Sequence, residues 1–319
     1  MAPPAPSNLR AGRARRDGAD FDRLVLASLY LHRFADFRQL SELSGMFDEG
    51  EDHSWRSRRL RALRRRGLID HVTAGYPRQH TWFLTDAGRS VAGQFGELLG
   101  RSSVPLTVDA LGVPYLSQHS RTVLDVHLAF LRDARRLGDD YGPLDWVPEV
   151  HHRLSERTRD ALTADAVMRY TSQQKGRSHL RAFIEVDRGT EGNERLAFKL
   201  VTYARFFEHT PSQLGRRPQG GALETRPSWQ SSYPVFPRIL FVLADASEQR
   251  MRNRIRDLQV MAARNAQAAA MLREVPAGAA LLDDLLCHGP SAPVWTSLAG
   301  GDRPRCAWNE LQPFTSSLD

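Results

Sequence analysis

Acidic side chains recur on neighbouring segments of the second half of the chain, at spacings that could hold a metal ion. Asp165 lies in "TADAVMRY", and Glu185 and Asp187 lie in "FIEVDR". Because side chains alternate along a strand, Glu185 and Asp187 project from one face, near Asp165 if the two segments pair. Carboxylates grouped in this way can bind Mg²⁺, which activates water and stabilises a phosphoryl oxyanion. An earlier segment offers a further acid, and the predicted metal ligands are Glu149, Asp165 and Glu185.

A basic side chain for such a site is available on the following segment, "NERLAFKLVTYARFFE" (193–208), which has the apolar period of a helix. Lys199 lies about 70° from the centre of the buried stripe of that helix, so it can reach towards the sheet. The predicted catalytic residues are Asp165, Glu185, Asp187 and Lys199. The alternative, which we favour, is a scaffold without activity, in which nearby cations neutralise the acids. The candidates for that role are Arg188, Arg195 and Lys199.

A second concentration of charge lies near the start of the chain, in "SWRSRRLRALRRRGLID" (54–70). Seven of its first thirteen residues are arginine. At about 100° per residue, Leu60 and Leu63 fall on one side of a helix and would face a core. Arg58, Arg61 and Arg65 fall roughly opposite, and Arg59 and Arg66 lie toward one edge. The two interpretations are a solvated charged helix and a helix that binds phosphates and base edges of DNA.

The elements around this helix favour the second interpretation. Apolar spacing and turn residues predict helices at 21–34, at 37–45 after an Asp36 N-cap, and at 54–66 before Gly67. Two short strands follow at 68–72 and 80–85, with "TAGYPRQ" as the turn between them, and a helix starts at Asp86.

This order, with "RRLRALRRRGLI" before a hairpin and "LTDAGR" after it, resembles the winged helix-turn-helix of bacterial regulators. The resemblance implies that the helix before the wing enters the major groove. Tyr76, Arg78 and His80 would lie at the wing. The predicted DNA-binding residues are Arg58, Arg59, Arg61, Arg65, Arg66 and Arg78.

The second half predicts a helix at 120–138, three strands, the helix 193–208, a strand at 238–245 and a long helix to about residue 270. This αβββαβ order resembles the PD-(D/E)xK, or restriction-endonuclease-like, core. The resemblance implies a Mg²⁺-dependent nuclease site at Asp165 and Glu185. The pattern departs at Asp187, which stands where these nucleases have lysine, so Lys199 would have to substitute for it.

The whole pattern is similar to the plasmid replication-relaxation family, most specifically in "FIEVDRGTEGNERLAFKLVTYARFFE". This resemblance implies a role in replication, relaxation or transfer of plasmids and other mobile elements. It also implies double-stranded DNA as partner, with other plasmid proteins and a homodimer as further expectations. The alternatives that remain open are a Mg²⁺-dependent endonuclease or nickase and a winged-helix transcriptional regulator.

Composition limits the class of protein. The 319 residues carry a formal net charge of +7, which favours phosphate partners, and two cysteines do not form a disulfide framework. The sequence shows no signal peptide, no apolar run of membrane-spanning length and no phosphate-binding Gly-rich loop, so we expect a cytoplasmic protein without ATPase activity. It also lacks the His-hydrophobic-His triplet of metal-dependent relaxases.

The predicted fold class is therefore α+β or α/β, with two folded domains. The boundaries are a disordered basic tail (1–20), a winged helix-turn-helix (21–100), a linker (101–119), a nuclease-like domain (120–270) and a C-terminal extension (271–319).

Overall fold

The computed structural model of the protein divides into two compact units, Met1–Arg135 with Tyr141–Val147 and Arg136–Asp140 with Pro148–Asp319. The residues that it describes are 18–45, 53–74, 79–101, 113–154, 160–174, 176–189, 193–210, 226–244, 247–300 and 303–314. None of the helices within these ranges is both long and apolar enough to cross a membrane.

The first unit has the element order of a winged helix-turn-helix. Its strands form a three-stranded antiparallel sheet in the order β1-β3-β2. The elements are α1 (Gly18–His32), β1 (Phe34–Asp36), α2 (Phe37–Leu43), α3 (His53–Arg65), β2 (Ile69–Ala74), β3 (Gln79–Leu84) and α4 (Asp86–Ala92). The structure confirms the predicted helices and strands here, and β1 is an addition that the sequence analysis did not predict.

Local chemistry explains why these elements begin and end where they do. The Asp36 side chain accepts a hydrogen bond from the Gln39 backbone N–H, and the Gln39 side-chain oxygen accepts one from the Asp36 backbone N–H, which makes a capping box for α2. Gly67 ends α3 with a φ of 71°, a conformation that glycine adopts without steric cost. Both signals were visible in the sequence.

The helix α5 (Val113–Leu137) is attached to the first unit by a buried carboxylate. Glu42 on α2 is 1% exposed, and Arg132 Nε lies 3.2 Å from its Oε1. Arg135 donates to the Glu42 backbone carbonyl at 3.1 Å, and Arg38 on α2 adds a third cation. Most of this helix therefore belongs to the first unit. The domain boundaries predicted from the sequence placed residues 113–119 in a linker and residues from 120 onward in the second domain.

The second unit is built on a mixed six-stranded sheet in the order β4-β5-β6-β7-β8-β9. β5 and β6 pair antiparallel, β6, β7 and β8 run parallel, and β9 is antiparallel to β8. The strands are β4 (Trp146–Arg153), β5 (Ala161–Ser172), β6 (Ser178–Asp187), β7 (Arg238–Leu243), β8 (Ala277–Leu281) and β9 (Thr296–Ser297). The order βββαβ is observed in this unit after α5, most of which belongs to the first unit, and the mixed α+β class is confirmed.

Helices of the second unit cover the face of the sheet that carries Phe183 and Phe241. They are α6 (Asn193–Glu208), α7 (Glu248–Arg264) and α8 (Ala266–Leu272), and α9 (Leu282–His288) follows β8. Leu200, Tyr203 and Leu258 are buried against this face. The residues from 271 onward, predicted as an extension, instead complete the sheet through β8 and β9.

Two histidines are buried in the first unit. His32 and His127 lie with ring centroids 5.3 Å apart, and His127 stacks on Trp146 at 4.9 Å. Burial lowers the pKa of His32 from 6.5 to about 4 and lowers that of His127 well below its usual value. Both rings are therefore neutral in the folded protein at neutral pH.

This pair makes the stability of the first unit depend on pH. Because the folded pKa is lower than the unfolded one, the contribution is present above pH 6.5 and is lost as pH falls to about 4. Each unit of pKa difference corresponds to about 1.4 kcal/mol. Urea denaturation of His32→Phe should show a shallower fall in stability across this window than the wild type. His288→Phe, at an exposed position, should match the wild-type slope, and an equal slope in His32→Phe would contradict the assignment.

A tight contact joins α4 to the turn before β2. A Cβ added to Gly88 would lie 1.8 Å from the Leu68 backbone oxygen, whereas one added to Gly96 would meet nothing within 4 Å. We expect Gly88→Ala to lower the free energy of unfolding by about 1–3 kcal/mol, because the backbone must move. Gly96→Ala is the control and should be nearly neutral in the same denaturation experiment. A neutral Gly88→Ala would show that this contact is not tight.

Candidate functional site

Three of the predicted residues, Asp165, Glu185 and Lys199, come together between β5, β6 and α6. The Lys199 ammonium contacts Glu185 Oε2 and lies 3.7 Å from Asp165 Oδ1. The Tyr203 hydroxyl, one turn further along α6, donates to Glu185 Oε1 at 2.6 Å. Asp165 Oδ2 accepts a hydrogen bond from the Val186 backbone N–H at 2.8 Å. The lysine therefore reaches the acids from the helix, as its position on α6 predicted.

Burial dominates the electrostatics of this cluster. Glu185 is 2% exposed, and desolvation together with the charge of Asp165 raises its pKa from 4.5 to about 8, against the opposing effects of Lys199 and Tyr203. Burial and the neighbouring Glu185 carboxylate also raise the pKa of Tyr203. Lys199 and Tyr203 supply the hydrogen bonds that a buried carboxylate requires.

Asp187 lies on the same sheet face as Glu185 but is held by a different cation. Arg254 Nη2 on α7 lies 2.6 Å from Asp187 Oδ2, and the two side chains are 3% and 7% exposed. Asp187 Oδ1 accepts the Gly189 backbone N–H at 3.0 Å. Asp187 therefore anchors α7 to the sheet rather than sharing the cation of Glu185.

Arg254 was not among the residues predicted from the sequence, although a signal was present. It lies on the buried stripe of α7 with Met251, Ile255 and Leu258. An arginine at a core position requires an acid opposite it.

The predicted metal ligands do not form a metal site. Glu149 is exposed, with a φ of 51°, and no three acidic, histidine or cysteine side chains among the described residues group so as to bind a metal. Mg²⁺ keeps several waters when it binds one or two carboxylates. Both oxygens of Glu185 are already engaged by Tyr203 and Lys199 in a position with almost no solvent access. The residues present do not fit the ion, because the Lys199 ammonium and the Tyr203 hydroxyl already contact the Glu185 carboxyl group.

The arginines of α3 divide into an outward set and a structural set. Leu60 and Leu63 are 1% and 0% exposed, as the helix period predicted. The outward set consists of Arg58, Arg61, Arg64 and Arg65, and Arg66, the residue after the helix, is also exposed. Arg58 donates to the Ser54 hydroxyl at 2.8 Å, and Arg61 to the Ser57 carbonyl at 3.2 Å, within the helix.

Arg59 belongs to the structural set, which differs from its predicted role in DNA binding. Its Nε and Nη2 donate to the two carboxylate oxygens of Asp22 at 3.0 and 2.6 Å, which ties α3 to α1. Arg66 Nη1 approaches the same carboxylate at 3.5 Å. Arg56 is also structural, since it is only 2% exposed.

The wing strands bring aromatic side chains together. The His71 ring lies 4.2 Å from that of His80 and 4.7 Å from that of Trp82. His80 Nδ1 and the Thr73 hydroxyl are 2.9 Å apart. Tyr76 and Arg78, predicted at the tip, lie outside the described residues.

Comparison with known proteins gives one strong result. A family model described as replication-relaxation matches residues 26–217, which is more than half of the chain. A search of curated protein sequences gives no match.

Among solved structures, the chain is similar to PadR of Bacillus subtilis in complex with operator DNA. The identity is 21% over 35% of this chain and 68% of that one, with a TM-score of 0.20. A similarity this weak supports no inference.

The buried acid makes a testable contribution to stability. Because the folded pKa of Glu185 is raised, its contribution is present below pH 4.5 and is lost as pH rises through about 8. Glu185→Gln should remove that dependence, a change on the order of a few kcal/mol across the window. Denaturation of wild type and variant from pH 5 to 9 measures it, with the exposed Asp283→Asn as control. If the free energy of unfolding depends on pH in the same way in the wild type and in Glu185→Gln, the raised pKa of Glu185 is contradicted.

Proposed function

Because the chain belongs to the replication-relaxation family, we propose that it binds duplex DNA in the replication or transfer of plasmids and mobile elements. The first unit makes this contact by inserting α3 into the major groove. Other proteins of the same element and a second copy of the chain are the further partners in this proposal.

The observation that supports this proposal is the division of α3 into two faces. Leu60 and Leu63 bury one face, and the pairing of Arg59 with Asp22 holds the helix against α1. Arg58, Arg61 and Arg65 are exposed on the helix that precedes the hairpin β2–β3. Guanidinium groups presented from a rigid helix can bind phosphates and the O6 and N7 edge of guanine.

For the second unit we propose a nuclease-like scaffold without metal-dependent cleavage. The element order and the convergence of Asp165, Glu185 and Lys199 support the likeness to the nuclease core. Burial of Glu185 and its engagement by Lys199 and Tyr203 support the absence of activity, because no oxygen of that carboxylate is left for a hydrated cation.

The DNA contact is tested by Arg58→Ala with Arg61→Ala. Each lost phosphate contact should reduce the slope of log K against log salt by about one unit. Fluorescence anisotropy with a labelled duplex at several salt concentrations measures both affinity and slope. We expect the double variant to bind at least about tenfold more weakly at low salt.

A charge-matched control separates contact from net charge. Arg250→Ala with Arg264→Ala removes two exposed arginines from α7 in the second unit. This control should retain the wild-type slope in the absence of other contacts by α7. Equal losses in both double variants would mean that binding depends on total charge rather than on α3.

The inactive scaffold is tested by incubation of supercoiled plasmid with the protein in Mg²⁺ or Mn²⁺. We expect no nicking or linearisation above a no-protein control. Cleavage that Glu185→Ala abolishes would overturn the proposal and establish a metal-dependent endonuclease. Cleavage that survives this variant would place an active site elsewhere.

A further inference from the structure

Two arginines lie directly opposite each other in the sheet of the second unit. Arg169 on β5 and Arg181 on β6 are partners in the antiparallel register. Side chains in such a pair have Cβ atoms about 4.5–5.5 Å apart, and like charges there are unfavourable. The Val167–Phe183 pair lies two residues away along the same two strands. Because side chains alternate along a strand, Arg169 and Arg181 lie on the same face of the sheet as Phe183.

Neither guanidinium is neutralised within the part of the chain that the structure describes. No hydrogen bond or ion pair joins either arginine to a carboxylate there, and Arg181 Nη1 is buried without a hydrogen-bond acceptor. Burial and the charge of Arg169 both lower the pKa of Arg181. A buried donor without an acceptor is costly, so this arrangement is incomplete without an anion.

The surroundings leave one side of the pair open. Arg169 is exposed and Arg181 is half-buried. Tyr233 lies close enough to influence Arg181 electrostatically, but its hydroxyl lies 2.9 Å from His152 Nε2 and is uncharged, so it does not neutralise the guanidinium. An anion would have to come from solvent or from a ligand.

We propose that Arg169 and Arg181 form a phosphate-binding site, which takes a backbone phosphate of DNA. Two planar guanidinium forks from adjacent strands can each donate a pair of N–H groups to phosphate oxygens. The site is separate from the Asp165–Glu185–Lys199 cluster. The choice of DNA as the source of the phosphate rests on the proposed function, whereas the phosphate site itself does not.

Thermal unfolding of the full chain tests the site with inorganic phosphate as the probe. Phosphate should raise the Tm of the wild type above its value in chloride of equal ionic strength, because a ligand of the folded state stabilises it. Arg169→Gln with Arg181→Gln should lose that shift. Arg250→Gln with Arg264→Gln, which removes two exposed arginines from α7, should keep it. If phosphate raised the Tm equally in all three proteins, or did not raise that of the wild type, the proposed site would be wrong.

Stability without phosphate provides a second readout. If the pair lacks a protein partner, Arg181→Gln should leave the Tm in chloride unchanged or higher, because it relieves a like-charge contact. A Tm lowered by several degrees would instead show that Arg181 has a structural role, and would overturn the proposal.

The source of the phosphate is tested in the Arg58→Ala, Arg61→Ala background, where the α3 contact is weakened. Addition of Arg169→Gln and Arg181→Gln should further reduce the residual affinity for a labelled duplex and its salt slope. If phosphate still raises the Tm of the wild type but the added substitutions leave the duplex affinity unchanged, DNA is not the source of the phosphate. If Arg58→Ala with Arg61→Ala does not weaken duplex binding, the proposed role of α3 is wrong, but the effect of phosphate on the Tm still supports the phosphate site.

Discussion

A carboxylate that is 2% exposed in the middle of a sheet needs compensation, and the second unit is arranged around this requirement. Glu185 obtains its cation and its hydroxyl donor from one helix, through Lys199 and Tyr203 on α6. Asp187, two residues further along β6, obtains Arg254 from α7. Two of the helices that cover this face, α6 and α7, are therefore held by polar contacts with buried acids as well as by apolar packing. Removal of one partner from such a pair costs more than the pair contributes, because the other charge stays buried.

The same principle orders the first unit, where the acids are Asp22 and Glu42. Asp22 binds the Arg59 fork and so ties α3 to α1, while Arg58, Arg61 and Arg65 of the same helix are exposed. Glu42 is covered by arginines from α5. Internal ion pairs thus use some arginines of this basic chain, and the distribution of the others determines where an external anion can bind.

Much of the fold followed from the sequence because the signals were local. The Asp36 cap, the Gly67 terminator and the apolar period of α6 each depend on residues within a few positions of one another. The β8 strand was missed because a short apolar run such as "AGAAL" fits a strand or a helix equally well. Its place in the sheet depends on pairing with β7, which periodicity does not encode.

The candidate site was predictable in its residue types but not in its pairings. Position on α6 was enough to bring Lys199 towards Glu185, whereas the partners of Asp187 and Arg59 lie on helices distant in sequence. A helical projection shows which face a side chain occupies, but not which charge lies opposite it. Strand alternation likewise predicted that Glu185 and Asp187 share a face, but not that each has its own cation.

Methylation interference tests most directly whether α3 binds in the major groove. A duplex that the protein selects from a random library would be methylated at guanine N7, which lies in the major groove, and at adenine N3, which lies in the minor groove. We expect that N7 methylation at specific guanines blocks binding by the wild type, and that Arg61→Ala or Arg58→Ala loses this sensitivity at one of them. Binding that is indifferent to every N7 methyl group would contradict this expectation.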